Sequence, residues 1–283
     1  MNPEVVSRPV IGIVVPTMGE RADWLRDCVA SVASQLAPTD RIVMVGPHSE
    51  TLRTIADQFE LTALFRPARG LAAAINEGFE ELAGCDYLTW LGDDDILAPG
   101  AIDVALSALE ANPAANFVYG NTRYIDARGQ SIYSAPATSL APYYMRVGKD
   151  FVPQPGSLLR ASALLAHQPP IDPMLRNAMD LDMFLRLSTA GRSSWCYVNR
   201  EVSAYRVHGG AITANKEGVD ESAAVRARYL SSRSAPWLRL FRRPRLFVEK
   251  AVVWIQWRAC KPTVPRVNGV PYTQPGAYMS ILR

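Results

Sequence analysis

The stretch Tyr87–Gly100, YLTWLGDDDILAPG, decides how the rest of the chain is read. It opens on YLTWL, an apolar run of strand length with aromatic content. It continues into three consecutive carboxylates, Asp93, Asp94 and Asp95. Pro99 stands at the first turn of a predicted helix, and APGAIDVALSALEA carries the helical period. The triplet therefore sits where a buried strand ends and a helix is about to start. In parallel α/β sheets that carboxyl edge is where ligands bind. Adjacent carboxylates repel one another unless a cation or hydrogen-bond donors neutralise them. Oxygen ligands at this density suit Mn2+ or Mg2+, usually shared with substrate phosphates. A solvated acidic turn capping the helix at Ala101 explains the same residues. Both readings stay open on this stretch alone.

Upstream, strands and helices alternate. Val10–Thr17, VIGIVVPT, is a continuous β-branched run, the mark of a strand buried on both faces. Trp24, Leu25, Cys28, Val29 and Val32 fall on one helical face. Arg41–Gly46 reads as a second strand, and Ser49 as the cap of a helix burying Leu52, Ile55, Ala56 and Phe59. Leu61–Arg66 is a third strand, and Leu71–Leu82 a third helix. This rhythm predicts an α/β fold, a mainly parallel sheet flanked by helices. After the acidic stretch the rhythm changes. Asn116–Asp126 alternates, Ala127-Arg-Gly turns, and Gln130–Ser134 reads as the return strand. Proline is frequent from 136 to 173, which suggests loops and short elements. Asp180–Ala190 and Val219–Tyr229 read as helices, and Trp195–Arg200 as a strand.

Composition narrows the class. A chain of 283 residues with 48% hydrophobic and 20% charged residues reads as a soluble globular protein. Its net charge of +3 is too small to imply nucleic-acid binding. Cys28, Cys85, Cys196 and Cys260 lie far apart and form no metal-type pair, so a reducing cytosol is expected. The N-terminus, MNPEVVSRPV, shows no signal-peptide pattern, and no window reaches the length of a membrane span.

The order IVVPT, RGLAAAINEGFEEL, YLTWLGDDD, QPGSLLR, AMDLDMFLRL and YRVHGG resembles the family 2 glycosyltransferases of the GT-A fold. Each motif is weak alone, and their order and spacing are specific. The resemblance covers roughly residues 10 to 215. It implies a catalytic domain over 1–215, with a nucleotide-sugar half at about 8–126 and an acceptor half at about 127–215. A C-terminal helical extension follows over 216–283.

The resemblance also implies roles. Asp94 occupies the metal-binding position of the acidic motif, Asp93 faces the ribose or shares the metal, and Asp95 comes third. Mn2+ or Mg2+ is the implied cofactor. Asp180 matches the catalytic aspartate, with Met179 where the family more often has Glu. Asp182 lies two residues on, off that helical face, and is assigned to the acceptor side or to a pair with Arg186. Pro16 and Thr17 close the first strand where the family contacts the nucleotide. Arg69 precedes the third helix, where a guanidinium and the helix N-terminus suit a phosphate. Asn76 matches a family position in that helix, and Gln154 carries the side chain able to read acceptor hydroxyls. His208 is a candidate metal ligand, and Arg206 a candidate diphosphate contact. For most of these residues a structural role is the competing reading: a strand-ending Pro, a helix-dipole carboxylate, a buried amide, a surface histidine.

One departure concerns the base. Many family members carry Asp-Asp-x-Ser after the second strand, and this chain has Val45-Gly46-Pro47-His48-Ser49. The nucleobase is therefore left open. Between Arg233 and Lys261, eight basic residues are interleaved with Trp and Phe against the single acid Glu249. Such a segment fits a helix on an anionic membrane surface, or a helix packed on protein. The expected partners are a nucleoside-diphosphate sugar donor and a glycan or lipid-linked acceptor, with no nucleic acid. The expected location is cytoplasmic, peripheral on the inner face of the membrane. The expected activity is an inverting, metal-dependent transfer in surface polysaccharide or lipid-linked glycan synthesis. A non-catalytic sugar- or glycan-binding relative is the alternative. A nucleotidyltransferase is disfavoured, because the turn Thr17-Met-Gly-Glu-Arg holds one glycine where that class has a Gly-rich loop.

Overall fold

The computed structural model describes residues 8–67, 69–146, 152–208 and 218–229, with two short strands at Arg266–Val267 and Val270–Pro271. The basic and aromatic segment 233–261 and Cys260 lie outside the described residues.

Strand β1 (Ile11–Pro16) is the spine. Its parallel neighbours are β2 (Arg41–Gly46) and β4 (Tyr87–Trp90), and β3 (Thr62–Phe65) pairs parallel with β2. Side chains alternate across a strand, and here both faces are covered. Ile11, Ile13 and Val15 enter one core, with Leu25, Cys28, Val29 and Val32 of α1 (Ala22–Ala33). Val14 enters the other, with Ile75 and Phe79 of α3 (Leu71–Glu81). Each fully buried aliphatic contributes about 1.5–3 kcal/mol, so an apolar run as short as β1 can anchor two layers. Gly78 lets α3 approach closely, since a Cβ there would lie 2.4 Å from Val14 Cγ1. Helix α2 (Glu50–Phe59) is capped as its sequence predicts, with Ser49 Oγ accepting from Leu52 N at 3.1 Å.

Beyond β4 the sheet becomes mixed. The strand order is β3-β2-β1-β4-β8-β6-β9-β5, with β7 beside β6. Here β5 is Ile96–Leu97, β6 Phe117–Ile125, β7 Ser131–Ala135, β8 Leu158–Arg160 and β9 Trp195–Arg206. Strand β8 runs antiparallel to both β4 and β6, while β6 and β9 are parallel. The expected α/β sheet with flanking helices is present, and strands from both halves of the chain share it. The proline-rich stretch holds the short helices α5 (Ala141–Met145) and α6 (Ala161–Leu165). The helix predicted over 180–190 is α7 (Met179–Leu187), packed on α8 (Gly218–Tyr229).

The acidic stretch departs from its predicted form in one respect. A two-residue strand, β5 (Ile96–Leu97), intervenes before α4 (Ala101–Glu110) and pairs antiparallel with β9. Ala98 N continues that pairing to Val202 O at 3.0 Å. The chain must then turn sharply, and Gly100 does so at φ 74°. Pro99 therefore belongs to the turn and not to the helix, which begins at Ala101.

Candidate active site

The short β5–β9 pairing assembles the site. Ile96 lies opposite Ala204 and Leu97 opposite Ser203, which carries Arg206 and His208 alongside the acidic turn. Asp95 Oδ1 accepts from Arg206 N at 3.0 Å, and Arg206 Nε donates to Asp94 O at 2.9 Å. His208 Nε2 then lies 2.7 Å from Asp94 Oδ2, across 114 residues of sequence. The turn itself is closed by Asp95 N donating to Gly92 O at 3.0 Å. A side chain at Gly92 would crowd it, since a Cβ there would lie 2.9 Å from Asp94 Oδ1.

The three carboxylates have separate environments. Asp93 is buried and accepts from Thr17 Oγ1 at 2.6 Å and from Arg21 Nη2 at 3.1 Å. Burial raises its pKa, against the opposing pull of Thr17 and Arg21. Asp95 is also buried, and burial followed by the Asp94 charge raises its pKa well above the ordinary carboxylate range. Asp94 is the open one, with 21% of its side chain exposed against 8% for Asp93. It is therefore the carboxylate placed to meet a ligand. Its partners are His208 and Arg21, whose Nη1 lies 3.3 Å from Asp94 Oδ2.

A cavity of about 310 Å³ opens beside this cluster. Pro16, Thr17, Arg69 and Asp93, all expected in the donor site, line it together with Arg21, Val45, Gly46, Pro47 and Arg66. Gly46 is required at the end of β2, because a Cβ there would lie 2.1 Å from Thr17 O. The N-terminus of α3, with Gly70 and Leu71, also lines it. Amide donors at a helix start and the three guanidinium groups of Arg21, Arg66 and Arg69 suit an anionic ligand.

Other predicted residues lie elsewhere. Asn76 exchanges two hydrogen bonds with the backbone of Ile171, at 2.8 and 2.9 Å, and ties α3 to the segment before α7. Gln154 is buried, with Nε2 donating to Trp90 O at 2.8 Å, so its amide secures the end of β4. Arg206 is buried as well, and its guanidinium serves backbone carbonyls of the acidic turn and of Asp126 and Ala127. Asp182 is buried outside the cavity lining and accepts from Tyr229 of α8 at 3.0 Å. Asp180 lies partly buried at the start of α7, where Oδ1 accepts from Leu181 N at 2.8 Å. Burial raises its pKa, and nearby Glu221 adds to the rise.

One site residue went unread in the sequence and a second was expected in the core. Arg21, in the turn leading into α1, joins Asp93, Asp94 and His208. Its signal was a cation next to a strand-to-helix turn, the place where anions bind. Trp24, expected in the core stripe, is half-buried at the site. Arg21 Cζ lies 5.3 Å from its ring centroid, and Arg206 Cζ 5.1 Å.

Two side chains of the site could hold a divalent ion. Asp94 Oδ2 and His208 Nε2 converge, and both are suitable ligand types. Among the described residues no group of three or more His, Cys, Asp or Glu forms a full cage. The pair fits an ion whose remaining ligands come from substrate phosphates and water.

Residues 12–164 match the sequence model of glycosyl transferase family 2. The chain is 29% identical over 248 residues to the O-antigen biosynthesis protein RfbC of Myxococcus xanthus, covering 81% of this chain and 18% of that protein. It is 23% identical over 229 residues to the hyaluronan synthase of Pasteurella multocida, covering 75% of this chain and 22% of that protein. The chain thus spans less than half the length of the curated relatives it matches. Among solved structures, S. aureus TarS 1-349 in complex with UDP-GlcNAc superposes with a TM-score of 0.57 at 14% identity, over 78% of this chain and 66% of that one. The mannosyltransferase PcManGT of Pyrobaculum calidifontis, in complex with GDP-Man and Mn2+, gives 0.51 at 13% identity, over 87% of this chain and 76% of that one. These likenesses show a shared GT-A fold.

Proposed function

The chain belongs to glycosyl transferase family 2, and from that premise we propose that it moves a sugar from a nucleoside-diphosphate sugar to an acceptor hydroxyl, with inversion. The observation that carries this reading is the cavity lined by Asp93 of the acidic turn together with Arg69 and Gly70 at the N-terminus of α3. Apolar Pro16, Val45 and Pro47 suit the flat face of a base, and the guanidinium groups suit the diphosphate. Asp94 and His208 would hold Mn2+ or Mg2+, which when bound stabilises charge on the departing diphosphate. Thr17 and Arg21 hold Asp93 in place through hydrogen bonds to its two oxygens.

Asp180 is assigned as the general base. Its carboxylate takes the proton of the acceptor hydroxyl as that oxygen bonds to the anomeric carbon. The bond from that carbon to the diphosphate oxygen breaks, and its electron pair leaves with the diphosphate. A carboxylate whose pKa is raised by burial is a better proton acceptor near neutral pH than an ordinary one. Asp182 and Gln154 are assigned structural rather than acceptor-reading roles, because their polar atoms bond within the protein.

The base is left open between uracil and guanine, since this chain has no carboxylate at 45–49. The relatives RfbC and hyaluronan synthase support a role in polysaccharide synthesis. A lipid-linked or surface glycan acceptor is proposed, and peripheral membrane contact is placed on the basic and aromatic segment 233–261. No described helix is long and apolar enough to cross a membrane. The purified chain, supplied with UDP- and GDP-sugars and Mn2+, should release nucleoside diphosphate and transfer the sugar. Donor binding without any turnover over the full panel, with a glycan acceptor present, would favour a non-catalytic relative.

A further inference from the structure

Arg21 closes a triangle with the two candidate metal ligands. Its Nη1 lies 3.3 Å from Asp94 Oδ2 and 2.9 Å from His208 Nε2. Those two atoms are themselves 2.7 Å apart. One hydrogen position on Nε2 cannot satisfy both of its contacts. With a hydrogen there, Nε2 donates to Asp94 and meets Arg21 donor to donor. Without one, it accepts from Arg21 and faces the carboxylate lone pair to lone pair. A positive charge set between the two atoms is what such a pair calls for, and the guanidinium nitrogen supplies it. A divalent ion bound by the same two atoms would need that place.

We propose that Arg21 and the divalent ion compete for Asp94 Oδ2 and His208 Nε2, and that the donor diphosphate decides between them by drawing Arg21 onto itself. This rests on the reading of Asp94 and His208 as metal ligands. Arg21 is able to make the exchange. Its side chain is 36% exposed and lines the donor cavity. It stands just before α1, whose N-terminal amides favour an anion nearby. A guanidinium matches phosphate oxygens bidentately as well as it matches carboxylates. Trp24 offers it a surface to pivot on. The other cation on that ring, Arg206, is buried and held by backbone carbonyls, which keeps the ring in place. Arg21 is therefore a positioning residue that couples metal binding to nucleotide binding. By linkage, each ligand then raises the affinity for the other by the same factor.

The test is calorimetric titration of Mn2+ into the full chain, alone and with UDP or GDP, for the wild type, Arg21→Met and Asp94→Ala. Arg21→Met should bind Mn2+ without nucleotide about tenfold more tightly than the wild type, the scale of one charge-assisted hydrogen bond lost by the competitor. The gain in Mn2+ affinity on adding nucleotide should shrink in that variant. Arg21→Lys, which keeps the charge and loses the fork, should fall between, and it carries the comparison if Arg21→Met fails to fold. Equal Mn2+ affinity and equal nucleotide coupling in the wild type and the Arg21 variants, with binding lost in Asp94→Ala, would overturn the inference and leave the metal reading standing. Absence of Mn2+ binding in the wild type with either nucleotide would overturn both.

Discussion

Asp93, Asp94 and Asp95 follow a buried strand, whereas Asp180 and Asp182 begin a helix. Both clusters are short acidic runs beside apolar residues, and their surroundings separate them. In the strand-end turn, β9 and Arg21 approach from the sides and leave Asp94 open. At the start of α7, helix α8 covers the group. Glu221 of α8 accepts from the backbone N–H groups of Arg176, Asn177 and Ala178, at 2.8, 2.6 and 2.7 Å. The donors just before the helix are thus met by a carboxylate from another helix, while Asp180 accepts from Leu181 N within the first turn. Asp182 is sealed by Tyr229, with Arg228 at 3.5 Å and Arg186 at 3.8 Å. Adjacent carboxylates diverge in role when packing covers one and spares its neighbour.

Asp180→Asn separates the two clusters most strongly. Asparagine keeps the size and cannot take a proton, so kcat with saturating donor should fall about 10²–10⁴-fold. Donor affinity and melting temperature should stay near the wild type. A fully active Asp180→Asn enzyme would remove α7 from the chemistry and leave the acidic turn as the whole site.

Asp94→Ala probes the other cluster. Loss of one charged ligand should weaken Mn2+-dependent nucleotide binding by about 1.5–3 kcal/mol, or roughly 10- to 150-fold. The protein should remain folded, because Asp94 is the exposed member. Unchanged metal-dependent binding in calorimetry would move the metal assignment to Asp93 or Asp95.

Asp182→Asn sharpens the contrast within α7. It should cost about 1–3 kcal/mol of stability, because the α8 donors lose a charged acceptor. Thermal melts should show a drop of several degrees, while kcat changes little. A stable but inactive Asp182→Asn protein would exchange the roles of Asp180 and Asp182.

The smallest effect is on the pH profile. A general base acts unprotonated, so a raised Asp180 pKa moves the acid limb of kcat to higher pH than an ordinary aspartate gives. Glu221 contributes to that rise, so Glu221→Gln should shift the limb to lower pH. A limb that does not move between these proteins belongs to another group.

Much of the sheet was legible in the chain. VIGIVVPT, RIVMVG and YLTWL are apolar runs whose burial on both faces requires helices above and below. Ser49 announced its helix because a hydroxyl at that place can satisfy an orphan amide. The acidic triplet announced a site because three adjacent carboxylates need compensation from outside their own segment. Glycines 46 and 78 were silent in the sequence, because their requirement comes from atoms of other elements, Thr17 O and Val14.

Local sequence thus determined the strands, most helices, the acidic motif and the family resemblance, since periodicity and capping act within a few residues. Tertiary structure alone decided which side chains meet. Strand β5 is two residues long, too short for any period, and its pairing with β9 brings His208 to Asp94. The same folding turns Trp24 from the core to the site against Arg206, sets Arg21 between Asp94 and His208, and closes α8 over Asp182. Each is a contact across tens of residues, and its partner is fixed only when separate elements pack against one another.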